Sequence, residues 1–143
     1  QGFALVSFSP GLAFGGGGAV LVSDRSVEGD LVFPDRELGF GYGGVVVELS
    51  GHSPGPSSIL SFRALVGAGN ADLRDAATGA RLASDNVIVV EPELVLHRRI
   101  GSRLYLGASL SWRSVWGLDD VEGVDGKDLG GPSLGIHLRI GPL

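Results

Sequence analysis

The chain has 143 residues, 43% of them hydrophobic, and a mean hydropathy of +0.27, which excludes a disordered polymer and leaves room for one domain. It contains no Cys, so a disulfide framework and thiolate metal sites are excluded. A net charge of −5, with Lys127 the single lysine, argues against a nucleic-acid partner, which needs a basic excess.

The 25 glycines follow no three-residue period and recur through most of the chain. Each would cost a helix interior about 1 kcal/mol relative to Ala, so helices are disfavoured. No run reaches the roughly 18 apolar residues of a membrane-crossing helix. The opening at Gln1 has neither a basic segment nor an apolar export core, so the chain is expected to be cytosolic or a mature form whose signal peptide has been removed.

Apolar spacing has period two, which predicts strands. Residues 2–8 are apolar on both faces and are cut off by Ser9-Pro10-Gly11, so 1–9 is a candidate detached or swapped strand. Residues 11–23 set Leu12, Phe14, Val20 and Val22 against Ala13, Gly15, Gly17 and Ala19. Residues 26–33 form a short candidate. In 38–50 the larger residues change parity after Gly43-Gly44, which predicts a bulge. Clean alternation follows in 58–70, 86–98, 103–116 and 131–141. Pro92, between Glu91 and Glu93, cannot donate to a ladder and predicts another bulge. The sum is about eight strands: an all-β, up-and-down antiparallel barrel in a single domain over 1–143.

Connectors 51–56 and 99–102 are short, whereas 71–85 and 117–130 are long, polar and at the same end of a meander. Membrane β-barrels have this asymmetry, and an even strand number would place both termini at the short-turn end. The apolar face carries Leu104, Leu106, Leu110, Trp112, Leu134, Ile136, Leu138 and Ile140. The opposite face is built of Gly, Ser, Ala, Arg, Glu and His, which suits a narrow polar interior. The stripe over 104–112 has the roughly 9–11 residues of a tilted membrane strand, with Trp112 and Trp116 at its outer end. The apolar face is therefore expected to look outward, toward lipid or a partner.

The runs GFGYGGVVVELS, VVEPELVLHRRIGSRLYLGASLSW and GGPSLGIHLRIG resemble the closing strands of small bacterial outer-membrane β-barrel proteins. The plan is similar to the eight-stranded barrels of the outer-membrane protein A and X type, over residues 38–141. The resemblance implies a place in the outer membrane or at the cell surface after export. It also implies outer-membrane lipid or lipopolysaccharide, or copies of the chain, as partners, and no cofactor.

The expected lumen network is Arg63, Glu91, Glu93, His97, Arg103, Tyr105, Arg113, His137 and Arg139. The expected registers place His97 opposite Tyr105, Glu91 opposite Ser111 with Arg113 in reach, and Arg63 opposite Glu93. Buried charges must be paired, so the primary reading is a structural ion-pair ladder; an ion path or a small polar ligand site is the functional alternative. His137 with Ser111 or Ser133, and His97 with Glu93, match no catalytic motif, so no enzyme is expected. Asp119, Asp120, Glu122, Asp125 and Asp128 lack the order of a calcium loop, and no metal site is assigned. The glycine clusters 15–18 and 41–44 lack the Lys-Ser/Thr of a phosphate loop. The expected function is a structural outer-membrane barrel with a side-chain-filled interior. Its rival is a secreted subunit that assembles into tubes or filaments through its N-terminal strand or apolar outer face. A soluble ligand-carrying barrel and a barrel lipid enzyme are the remaining readings.

Overall fold

The computed structural model of the chain describes residues 1–23, 36–52, 57–75, 80–118 and 129–140. The described residues form seven strands: β1 (Gly2–Ser9), β2 (Leu12–Ser23), β3 (Arg36–His52), β4 (Ser58–Asp75), β5 (Arg81–Arg99), β6 (Leu104–Trp116) and β7 (Gly131–Ile140). They form one sheet in chain order, every neighbouring pair antiparallel. The all-β meander matches the sequence pattern. The expected closed eight-stranded barrel does not: β1 and β7 are the two edges of an unclosed sheet. The candidate strand at 26–33 lies outside the described residues. Nor do the ends of the sheet meet at the short-turn side, since β1 starts toward the long-connector end and β7 finishes at the short-turn end.

Residues 1–9 are not detached. β1 pairs with β2 from Gly2↔Gly18 to Ser7↔Ala13, with a register shift before Ser9. The turn that follows needs Gly11, whose φ is 85° and whose position would put a Cβ 2.7 Å from the Ser50 carbonyl oxygen.

Neither predicted bulge is present. β3 keeps one register through Gly43-Gly44 against both β2 and β4. Its inward residues are Phe40, Tyr42, Gly44, Val46 and Glu48 throughout. The change of parity in the sequence records a change of surroundings: the interior is apolar beside Phe40 and Tyr42 and ionic beside Glu48. At Pro92 the register is the same on either side, from Val90↔Ser114 to Glu93↔Ser111, and the β5–β6 ladder lapses at Glu91 and Pro92. A residue without an N–H interrupts a ladder without lengthening the strand.

The expected 71–85 connector is mostly strand, because β4 runs to Asp75 and β5 starts at Arg81. Above Asn70 the pattern inverts: Ala71 and Leu73 point into the core, while Asn70 and Arg74 are exposed. The apolar core lies at this end, where Phe40, Tyr42, Val46, Leu65, Val87, Val89 and Val115 pack together. Glycines allow the sheet to curl around it. Gly44 and Gly67 pair on the inner face, and a Cβ on either would fall on backbone of the facing strand, Val66 for Gly44 and Gly43 for Gly67.

Candidate functional site

Two adjacent ladder rows define the molecule's chemistry. One runs Leu12–Leu49–Phe62–Leu94–Leu110–Leu134 on the outer face. The next runs Ala13–Glu48–Arg63–Glu93–Ser111–Ser133 on the inner face. Strand alternation alone separates them. The outer row is exposed in every member from Leu49 to Leu134, and Glu48, Arg63, Glu93 and Ser111 of the inner row are buried.

The inner face holds an ion-pair network. Arg63 donates from Nε and Nη2 to Glu48 Oε2 at 3.1 and 2.8 Å, and from Nη1 to Glu93 Oε2 at 2.9 Å. Arg139 reaches Glu48 from β7, across the interior. His137 Nε2 lies 2.9 Å from Glu93 Oε1 and 2.7 Å from Ser109 Oγ. A carboxylate only accepts, so Nε2 carries the proton in the bond to Glu93. Glu91 forms a second centre. It accepts from Arg113 Nε at 3.0 Å, from the Tyr42 hydroxyl at 2.5 Å and from Ser111 Oγ at 3.0 Å. The Arg113 guanidinium also lies over the Tyr42 ring, 5.0 Å from its centroid, which joins the ionic region to the apolar core. Glu48, Glu91 and Glu93 thus face Arg63, Arg113 and Arg139, with His137 as a further partner of Glu93.

Of the expected lumen residues, Arg63, Glu91, Glu93, Arg113, His137 and Arg139 belong to this network. Arg103 does not. β6 begins one residue later, and Arg103 is exposed in the turn before it, where its charge stays hydrated. Tyr105 is half-buried on the inner-face parity, paired with Arg99 and Arg139. His97 is 1% exposed, yet neither ring nitrogen has a hydrogen-bond partner among the described residues. It sits opposite Gly107, where a Cβ would come within 2.9 Å of Nδ1. The expected register of His97 against Tyr105 is therefore off by two residues, and Ser111 faces Glu93 instead of Glu91. Arg63 against Glu93 is as expected.

Glu48, Tyr42, Ser61 and Ser109 also face this interior and are not among the expected lumen residues. Glu48 was detectable: it is the acid interleaved with Val45, Val47 and Leu49, on the same parity as the inner face. Tyr42 was hidden by the supposed bulge, which put it on the wrong side.

On the outer face, Leu106, Leu110, Trp112, Leu134, Ile136, Leu138 and Ile140 are exposed, and Leu104 is half-buried at the start of β6. Polar residues bound this surface. At the long-connector end Asn70 Nδ2 donates to Asn86 Oδ1 at 2.8 Å, and Arg81 pairs with Asp72 at 2.9 Å. Trp116, paired with Ile88, lies one outward position below Asn86. At the short-turn end stand Arg98, Arg99 and Arg103.

Among the described residues no group of three His, Cys, Asp or Glu could hold a metal ion, and the acidic segment 119–128 lies outside them. No helix among the described residues is long and apolar enough to cross a membrane, which says nothing of strands. No family model matches the chain, and neither a curated protein nor a solved structure matches it.

Proposed function

We propose that the chain is a structural outer-membrane β-barrel protein, closed by eight strands, with a plugged interior and no catalytic activity. One observation carries this reading: an exposed apolar belt encircles a sheet whose ionic residues are buried. In water this arrangement is unfavourable twice over, because leucines remain hydrated while charges are desolvated. Against hydrocarbon the belt is in its preferred medium and the paired charges fill the lumen. The belt also has the right height. Along β4 it runs from Leu60 to Ala68 and along β5 from Ile88 to Leu96, each bounded by polar residues, close to the roughly 9–11 residues of a tilted membrane strand. Outer-membrane lipid or lipopolysaccharide is then the partner, at the bacterial outer membrane or cell surface.

Flotation with liposomes and gel mobility before and after boiling test the proposal. A chain that floats with vesicles and shifts its mobility on heating supports it. A chain that stays monodisperse in plain buffer and leaves vesicles untouched overturns it. The two unpaired sheet edges favour one rival, a secreted subunit that joins copies edge to edge into tubes or filaments. Filaments in negatively stained, detergent-free material, lost on deletion of residues 1–9, would favour that rival.

A further inference from the structure

In an alternating meander the first and seventh strands run the same way. β1 and β7 both descend toward the short-turn end, so they cannot become antiparallel neighbours. The sheet nevertheless coils far enough to bring their edges to one cavity of about 440 Å³. Phe3 and Ser7 of β1 and His137 and Arg139 of β7 line it, with Arg63 and His97 behind. Ile136 and Leu138 form its outer lip. The β7 edge is correspondingly bare: Leu134 and Ile136 are 85% and 84% exposed, against 47% and 49% for Leu94 and Leu96, whose strand is flanked on both sides.

We propose that this slot seats one further β-strand, an extended polypeptide segment that ascends from the short-turn end between β1 and β7 and pairs antiparallel with both. Its necessity rests on the membrane reading, because unpaired backbone N–H and C=O groups are not tolerated in hydrocarbon. Its chemistry follows from the walls. The length is set by β7, a strand of 10 residues. Outward side chains are apolar, to continue the belt past Ile136 and Leu138. Inward side chains are small, polar and neutral. Glu48, Glu91 and Glu93 are already matched by Arg63, Arg113 and Arg139, so an added ion would have to compete for a partner, whereas the unpartnered His97 ring has a donor and an acceptor to offer.

The probe is a synthetic peptide of about ten residues, a length matched to a membrane strand, alternating leucine with serine and asparagine. The control has the same composition with its leucines in one block. Each is added to the full chain in detergent micelles. The alternating peptide should bind one-to-one by native mass spectrometry and slow amide exchange in β1 and β7 at least tenfold, while the block peptide does neither. Because the chain has no Cys, direction can be read by disulfide formation. A cysteine at the peptide's N-terminal end should couple to Ile140→Cys, and one at its C-terminal end to Leu134→Cys. Equal protection by both peptides, no protection by the alternating one, the reverse coupling, or edges already protected by a second copy would each overturn the inference. Flotation separates its failure from that of the membrane reading: a chain that floats but ignores the peptide has lost only the added strand, and one that takes the peptide without floating has lost only the membrane.

Discussion

Glu48 is the residue on which the ionic interior converges, since its carboxylate accepts from Arg63 and Arg139. Glu48→Gln should cost about 3–5 kcal/mol, the range for breaking a buried pair, toward the lower end because Arg63 keeps Glu93. Urea unfolding monitored by tryptophan fluorescence would measure it. Arg103→Ala should change stability by less than about 0.5 kcal/mol, as for other exposed sites. A loss at Arg103 equal to that at Glu48 would show that the interior network is not what holds these charges. The same two residues mark how far single positions could be read from sequence. Arg63 and Glu93 were legible because two long alternating runs fix their mutual register. Arg103 was misassigned because alternation does not say where a strand begins. Glu48 was legible by the same alternation, since it is interleaved with Val45, Val47 and Leu49, whereas Tyr42 was not, because a presumed bulge put it on the outer side.

Elements show the same physics over longer stretches. A period-two pattern identifies a strand and its two faces, but not which face meets which medium. Inside a single unbroken strand the apolar face can exchange sides where the surroundings change. β4 does so at Asn70: Phe62 and Val66 point out below it, and Ala71 and Leu73 point in above it. Read locally, that exchange looks like a bulge in β3 and like a polar loop over 71–85. The sheet can hold both environments because it curls tightly at its glycine pairs. Gly67→Ala should therefore destabilise the fold by about 1–3 kcal/mol, the cost of overpacking, since its Cβ would meet Gly43 backbone that has no room to yield. Gly2→Ala should be close to neutral, because nothing lies within 4 Å of a Cβ there. Chemical denaturation of the two variants side by side checks this, and equal effects would refute the steric account.

At the scale of the whole molecule the deciding variable is the medium around the belt. Leu110 is the place to test it, being flanked by Leu94 and Leu134 in the outer row and itself exposed. In a bilayer an arginine at the middle of a lipid-facing strand costs about 2–4 kcal/mol, and near the interface only about 0–1 kcal/mol. Leu110→Arg should accordingly lower stability in liposomes by several-fold more than Asn70→Arg, whose position already carries a polar pair with Asn86. In water the order disappears or reverses, because an exposed leucine gains nothing from its surroundings and a guanidinium is well hydrated. The comparison is internal: both positions lie on outward faces, and neither touches the ionic network. Unfolding titrations of the two variants in liposomes, repeated in detergent-free buffer, therefore report on the belt alone. A depth-dependent penalty in liposomes places Leu110 against hydrocarbon. Equal and small penalties in both media would mean that the belt is covered by something other than lipid, and the outer-membrane assignment would fall with it.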